Sequence, residues 1–220
     1  MKKKLIAFTA LAGLGLAGVA VVAVNLAPGS ADVASYSAAQ VLGQPAPNFT
    51  LADANNRRVS LSDFRGRTVV LEWNNPECPF TRKHYDSGNM QRTQAAAARD
   101  NVVWLTINSG APGNQGHMNN AEARAYLASS GARPAHYLLD PGGEVGRAYD
   151  ARTTPHMYVV NGAGALVYAG GIDDRPTADP ADVDGARNHV LAALSELKAG
   201  RAVSVATSRP YGCSVKYAEG

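Results

Sequence analysis

The run Thr68-Val69-Val70-Leu71-Glu72-Trp73 is β-branched and apolar, and it gives way through Asn74-Asn75-Pro76-Glu77 to Cys78-Pro79 and a helical pattern. A short apolar run bounded by turn residues reads as a buried central strand. Proline, in turn, is well placed in the first turn of a helix. The chain is therefore committed to a strand that hands over directly to a helix, with a cysteine at the junction.

The same two patterns alternate along the rest of the chain. Residues 49–51 and 59–61 flank the polar stretch 52–58, which predicts a short hairpin. The helical pattern begun at Pro79 reaches Arg99, with a break near Ser87-Gly88-Asn89. Residues 101–108 read as a second buried strand, and 119–130 as a helix with an asparagine cap and Gly131 at its end. A third strand over 136–139 stops at Asp140-Pro141-Gly142-Gly143, and 144–149 is a short helix. Residues 157–160 and 165–168, joined by Asn161-Gly162-Ala163-Gly164, form a hairpin before a last helix over 182–197. Alternating strands and helices, closed by a hairpin and a helix, specify an α/β sandwich with a mixed sheet.

The N-terminus adds a different signal. Lys2, Lys3 and Lys4 precede an apolar stretch to about Leu26, and Gly29-Ser30-Ala31 offers a small-residue cleavage site. This is the pattern of an export signal, although a stretch of roughly 20 apolar residues also suffices for an uncleaved membrane anchor. Either way the globular part belongs outside the cytoplasm, in the periplasm or its equivalent, with a possible tether through the N-terminus. The formal charge of +3 comes from those lysines, since no acidic residue precedes Asp32. The remaining chain is near neutral and lacks the basic stripe that nucleic-acid binding requires. The reading by segment is a signal peptide or anchor over 1–31, a tether over 32–48, a domain over 49–200 and a C-terminal extension over 201–220 carrying Cys213.

An N-terminal hairpin, a strand, a cysteine at a helix start, Thr154-Pro155 before a hairpin and a closing helix together resemble the thioredoxin fold. More narrowly, residues 41–200 resemble exported redoxins of the alkyl hydroperoxide reductase and thiol-specific antioxidant type. The carrying segments are Val41 to Phe49, Cys78-Pro79-Phe80 with Lys83-His84-Tyr85, and Thr154-Pro155-His156-Met157-Tyr158-Val159. The implied fold is a thioredoxin-like three-layer sandwich, with helices on both faces of a mixed central sheet. Two departures stand out: Thr81 replaces the second cysteine of a C-x-x-C, and Leu71 and Asn75 replace the proline and threonine of a peroxiredoxin P-x-x-x-T-x-x-C. The resemblance implies thiol chemistry, with either a peroxide or a protein or small-molecule disulfide as oxidant and an external dithiol as reductant. No cofactor motif is present, and no histidine and carboxylate spacing suggests a structural metal site.

In open α/β sheets the binding crevice lies at the carboxyl ends of the parallel strands. Cys78, the loop 109–118 with His117, and the segment Thr154-Pro155-His156 should therefore converge on one edge. A helix N-terminus lowers a thiol pKa, which makes Cys78 the candidate nucleophile, with Arg82, Lys83 and His84 adding positive charge. The Thr81 hydroxyl is placed to donate to the thiolate, and Glu77 is a candidate proton acceptor. The resemblance implies a cis Thr154–Pro155 bond with Thr154 as the docking residue. His156, His117 and Trp73 complete the expected substrate contacts. Asp173-Asp174 reads as a solvated turn in preference to a carboxylate pair. For Cys213 three roles stand open: a thiol that resolves oxidised Cys78, a structural staple with it, or a lone thiol for intermolecular bridging. A rival class is a non-enzymatic module that binds a soft metal such as Cu(I) through Cys78, Cys213 and a histidine, and another is a redoxin fold kept only for structure or binding.

Overall fold

The computed structural model describes residues 42–219. The expectations for the leader and for most of the tether fall outside these residues. The order of elements in the described part is β1 (Thr50–Asp53), β2 (Arg58–Ser60), β3 (Val69–Trp73), α1 (Pro79–Asp86), α2 (Asn89–Arg99), β4 (Val103–Asn108), α3 (Asn120–Ser130), β5 (His136–Leu139), α4 (Glu144–Ala148), β6 (Thr153–Thr154), β7 (His156–Val160), β8 (Leu166–Gly170), α5 (His189–Lys198) and β9 (Cys213–Ser214). Seven strands form one mixed sheet in the order β2-β1-β5-β4-β3-β7-β8. The central β3, β4 and β5 run parallel, while β7 lies antiparallel to β3 with Trp73 opposite His156.

Strand alternation divides the core. Leu71, Trp73, Leu105 and Ile107 share a cluster with Tyr149 and Tyr158, under α4 and the N-terminal segment. Val70 and Trp104 join Tyr85 of α1, Met90 of α2 and Val190 of α5 on the other face. Each large apolar side chain taken from water in these layers contributes about 1.5–3 kcal/mol. The result is the expected sandwich with helices on both faces.

The helical stretch after Cys78 breaks at Ser87–Gly88 as expected, with Gly88 at φ +71°. Other boundaries differ from the sequence reading for identifiable reasons. The last helix begins at His189 and not at 182: Pro180–Val183 is a separate 3-10 turn, and the Asn188 side chain caps α5 by accepting the Leu191 N–H. Residues 42–47 are not a free tether, since the Gly43 and Ala46 N–H groups donate to Leu166 O and Gly164 O. The C-terminal extension is likewise packed. Tyr211 is buried in the core, and the two-stranded pairing of β6 with β9 brings the extension back onto the domain.

Candidate active site

Cys78 lies where β3 has ended and α1 begins, and the intervening turn is built locally. Asn75 Oδ1 accepts the Glu77 N–H at 2.9 Å, and Asn75 O accepts the Cys78 N–H at 3.1 Å. Cys78 caps α1 with extended dihedrals, and Pro79 follows at the first helical position, where no N–H partner is needed.

The Cys78 thiol is fully buried. Its Sγ donates to Thr154 O at 3.0 Å, and the Cys213 N–H donates to it at 3.4 Å. Burial opposes ionisation, but hydrogen bonds with the Cys213 side chain, with Thr154 and with the Thr81 and Cys213 N–H groups outweigh it and hold Cys78 below its ordinary pKa. Cys213 moves the other way. Burial, followed by the hydrogen bond and charge of Cys78, pushes its pKa up to about 11. Both cysteines are free thiols in this structure. The two surroundings thus order the pair, with Cys78 the more readily ionised thiol and Cys213 the one that holds its proton more firmly.

Backbone pairing brings the cysteines together. The Thr154–Pro155 peptide is cis, as the resemblance implies. Beside it Thr154 pairs with Cys213, and Thr153 with Ser214, in an antiparallel ladder. Gly212 makes this approach possible: it adopts φ +132°, and a Cβ there would collide with Thr154 O.

The loop 109–118 reaches the same edge, as the topology requires. Asn75 Nδ2 donates to Gln115 O, and Gln115 Nε2 donates to Glu77 O, both at 3.4 Å. Within the loop, the half-buried His117 places Nδ1 2.8 Å from Gly110 O. Glu77 is exposed, and its main chain makes the bonds to Asn75 and Gln115.

Other expected roles change. Thr81 acts on the sulfur through its N–H, while its buried Oγ1 has no hydrogen-bond partner. Trp73 is core: it packs against Tyr149 and Tyr158 and donates Nε1 to Ser109 Oγ at 3.0 Å, on the sheet face opposite α1. His156 is also buried, with Nδ1 3.0 Å from Tyr158 Oη and accepting the Arg152 N–H, and burial lowers its pKa to about 4. The positive charge expected from α1 is largely spent elsewhere. Arg82 faces Asp86 on the surface, and burial lowers the His84 pKa to about 4. Lys83 is buried, donating to Arg175 O at 2.6 Å and lying 3.9 Å from Asp173 Oδ2. Asp173 is accordingly no solvated turn residue, for it is buried and accepts from Tyr211 Oη; Asp174 alone is exposed, accepting the Arg187 N–H.

Glu72 is the clearest feature that sequence reasoning passed over. It is fully buried on β3, and its carboxylate accepts from Asn74, Tyr85, Gln94, Trp104 and Thr106. Burial pushes its pKa up and these donors pull it down, with the balance upward. An acid inside an otherwise apolar strand was the available signal. Gly212, directly before Cys213, was another.

Residues 42–169 match the AhpC/TSA family, a span that includes both Cys78 and the cis Thr154–Pro155 bond. The chain belongs to the AhpC/TSA family. Cys213 lies beyond the matched span, in a segment to which the family match does not extend. Among curated relatives, the thiol-disulfide oxidoreductase ResA of Bacillus subtilis is 27% identical over 132 residues, covering 57% of this chain and 64% of the relative. The match thus spans a little under two thirds of the relative's length. Among solved structures, an uncharacterized conserved protein of Geobacillus kaustophilus superposes with a TM-score of 0.72 at 27% identity, covering 82% of this chain and 94% of the other. A hypothetical protein of Sinorhizobium meliloti 1021 shares the fold with a TM-score of 0.70 at 24% identity, over 82% and 96% of the two chains. The fold is thioredoxin-like.

Proposed function

We propose that this AhpC/TSA-family protein is an exported thiol-dependent oxidoreductase in which Cys78 attacks an oxidant and Cys213 completes a Cys78–Cys213 disulfide. The observation that supports it most is the antiparallel pairing of Thr154 with Cys213, which sets the Cys213 N–H on the Cys78 sulfur. Thr81 cannot supply a second thiol, so Cys213 takes the place of the missing neighbour.

A disulfide oxidant fits the site better than a peroxide. Disulfide attack passes through a mixed disulfide, and here a cysteine on an extended segment already pairs with Thr154 beside Cys78. The similarity to a thiol-disulfide oxidoreductase points the same way. In this cycle the Cys78 thiolate bonds to one sulfur of the substrate disulfide and releases the other as a thiolate. Cys213 then attacks Cys78 Sγ, the second substrate sulfur leaves, and Cys213 gives up its proton. An external dithiol restores both thiols. The leader supports an extracytoplasmic site of action, either free or tethered, where such couples persist.

The metal-handling alternative combines Cys78 and Cys213 with a nearby histidine. Among the described residues no group of three or more histidine, cysteine, aspartate or glutamate side chains is gathered to hold a metal ion.

Alkylation and mass mapping tests the proposal in the wild type, Cys78→Ser and Cys213→Ser, after stoichiometric exposure to a disulfide oxidant and separately to peroxide. The expected result is a Cys78–Cys213 disulfide in the wild type, with an oxidant adduct trapped on Cys78 in Cys213→Ser. An unmodified Cys78 under both oxidants rules the enzyme reading out.

A further inference from the structure

Resting on the function proposed above, we propose that Tyr211 is the positioning residue that sets Cys213 on Cys78, held by the same helix that starts at the nucleophile. The ladder that seats Cys213 is two residues long, so its register depends on what holds the chain beside it. Downstream, the Val215 N–H donates to Arg152 O. Upstream, Tyr211 is the only buried side chain among the described residues 201–219, and only Gly212 separates it from Cys213.

The helix α1 begins at Pro79, directly after Cys78, and its residues Phe80, Lys83 and His84 stand at the spacing that places side chains on one face. All three meet Tyr211. Phe80 packs edge-on against its ring with centroids 6.0 Å apart, Lys83 Nζ lies 5.5 Å from the ring centroid, and His84 Nε2 is 3.1 Å from Oη. Gly212 extends this contact, since it faces both Phe80 and Thr154. One helix therefore sets the first sulfur at its start and grips the tail two residues before the second.

The hydrogen bonds at Tyr211 Oη have a fixed direction. A carboxylate only accepts, so the single hydroxyl proton goes to Asp173 Oδ1. His84 Nε2 must then donate to Oη, which leaves Nδ1 as the acceptor of Asn89 Nδ2 at 2.9 Å. Burial lowers the His84 pKa to about 4, so at neutral pH the ring keeps one donor and one acceptor. Asp173 is fixed in turn by the Arg175 N–H at 3.0 Å from Oδ1 and by Lys83 Nζ at 3.9 Å from Oδ2. The tail hydroxyl is thus held from two sides.

Oxidation of the full chain by one equivalent of dithiobis(nitrobenzoate), followed by absorbance, separates the two sulfur steps. One protein thiolate attacks the reagent disulfide and releases a first thionitrobenzoate; the other loses its proton and attacks the protein sulfur of the mixed disulfide, closing Cys78–Cys213 and releasing the second. The second phase is intramolecular and independent of reagent concentration. Tyr211→Phe keeps the ring and removes only the hydroxyl, and it should slow the second phase at least about tenfold while leaving the first unchanged. An unslowed second phase, or an equal slowing of both phases, would overturn the inference. The wild type provides a measurement that no folding defect of a variant can obscure. Nitrogen NMR should find the His84 proton on Nε2, and a proton on Nδ1 would overturn the arrangement and the inference with it. The couple itself is tested separately: a wild type without a second phase, or Cys213→Ser with one, would overturn the proposed disulfide.

Discussion

The two cysteines are chemically unlike because their surroundings are unlike. Cys78 receives N–H donors from a helix start and from the paired tail, whereas Cys213 receives burial and the charge of its neighbour. Replacing Cys213 by alanine removes one of the groups that offset burial at Cys78. The Cys78 pKa should then rise, which a thiolate absorbance titration of Cys213→Ala against the wild type would show as a later transition. Gly212 is the other decisive residue. A side chain there meets Thr154 O and the adjoining carbonyl carbon at an unfavourable φ of +132°. Gly212→Ala should lift the β9 segment, slow Cys78–Cys213 disulfide formation at least about tenfold and cost about 1–3 kcal/mol of stability. Stopped oxidation time courses and denaturant unfolding measure the two effects. Wild-type kinetics in that variant would show that the tail does not position Cys213.

Among the elements, β3 does the most to order the site. Its odd-numbered residues fill one core layer, and Val70 faces the other with Glu72. Glu72 then links β3 to Trp104 and Thr106 of β4, Tyr85 of α1 and Gln94 of α2. Glu72→Leu would leave several buried donors without an acceptor, each costing about 1–3 kcal/mol. A loss of at least about 3 kcal/mol in denaturant unfolding is expected, and a change below about 1 kcal/mol would show that the network is dispensable. The strand itself was legible, because β-branched apolar residues between turn signals have few alternatives. So were α3, with its asparagine cap, and the break at Gly88. The start of α5 was not, since it depends on Asn188 capping an end that the Asp-rich stretch before it obscures. β6 and β9 are two residues each and carry no periodicity; they exist only because their chain segments meet.

Over the whole molecule, the extension wraps the edge of the domain. It contacts β6, the loop at residues 111–114, the segment at residues 151–152 and α4, where Arg147 donates to Ala218 O. The buried histidines add a global signature. His84 and His156 titrate near 4 in the fold against an ordinary value of 6.5, both through burial. Between those values the unfolded chain binds protons that the folded one does not, so stability is fully present above pH 6.5 and falls as the pH drops toward about 4. Each histidine should contribute up to about 1.4 kcal/mol per pH unit to that slope. Denaturant unfolding at successive pH values measures it. His156→Gln should flatten the slope, and an unchanged slope would show that His156 does not contribute.

Local pattern determined the alternation of strands and helices, the cysteine at a helix start and the topological edge on which distant segments meet, because periodicity and turn chemistry act over a few residues. Burial and long-range pairing determined the rest. Trp73 became core, Lys83 and Asp173 turned inward, Glu72 became a hub, and Cys213 came to rest against Cys78. Those outcomes depend on which surfaces pack together once the sheet has formed. Proximity between residues so far apart along the chain is a property of the folded molecule, paid for by the contacts of the whole tail and not by the two thiols alone.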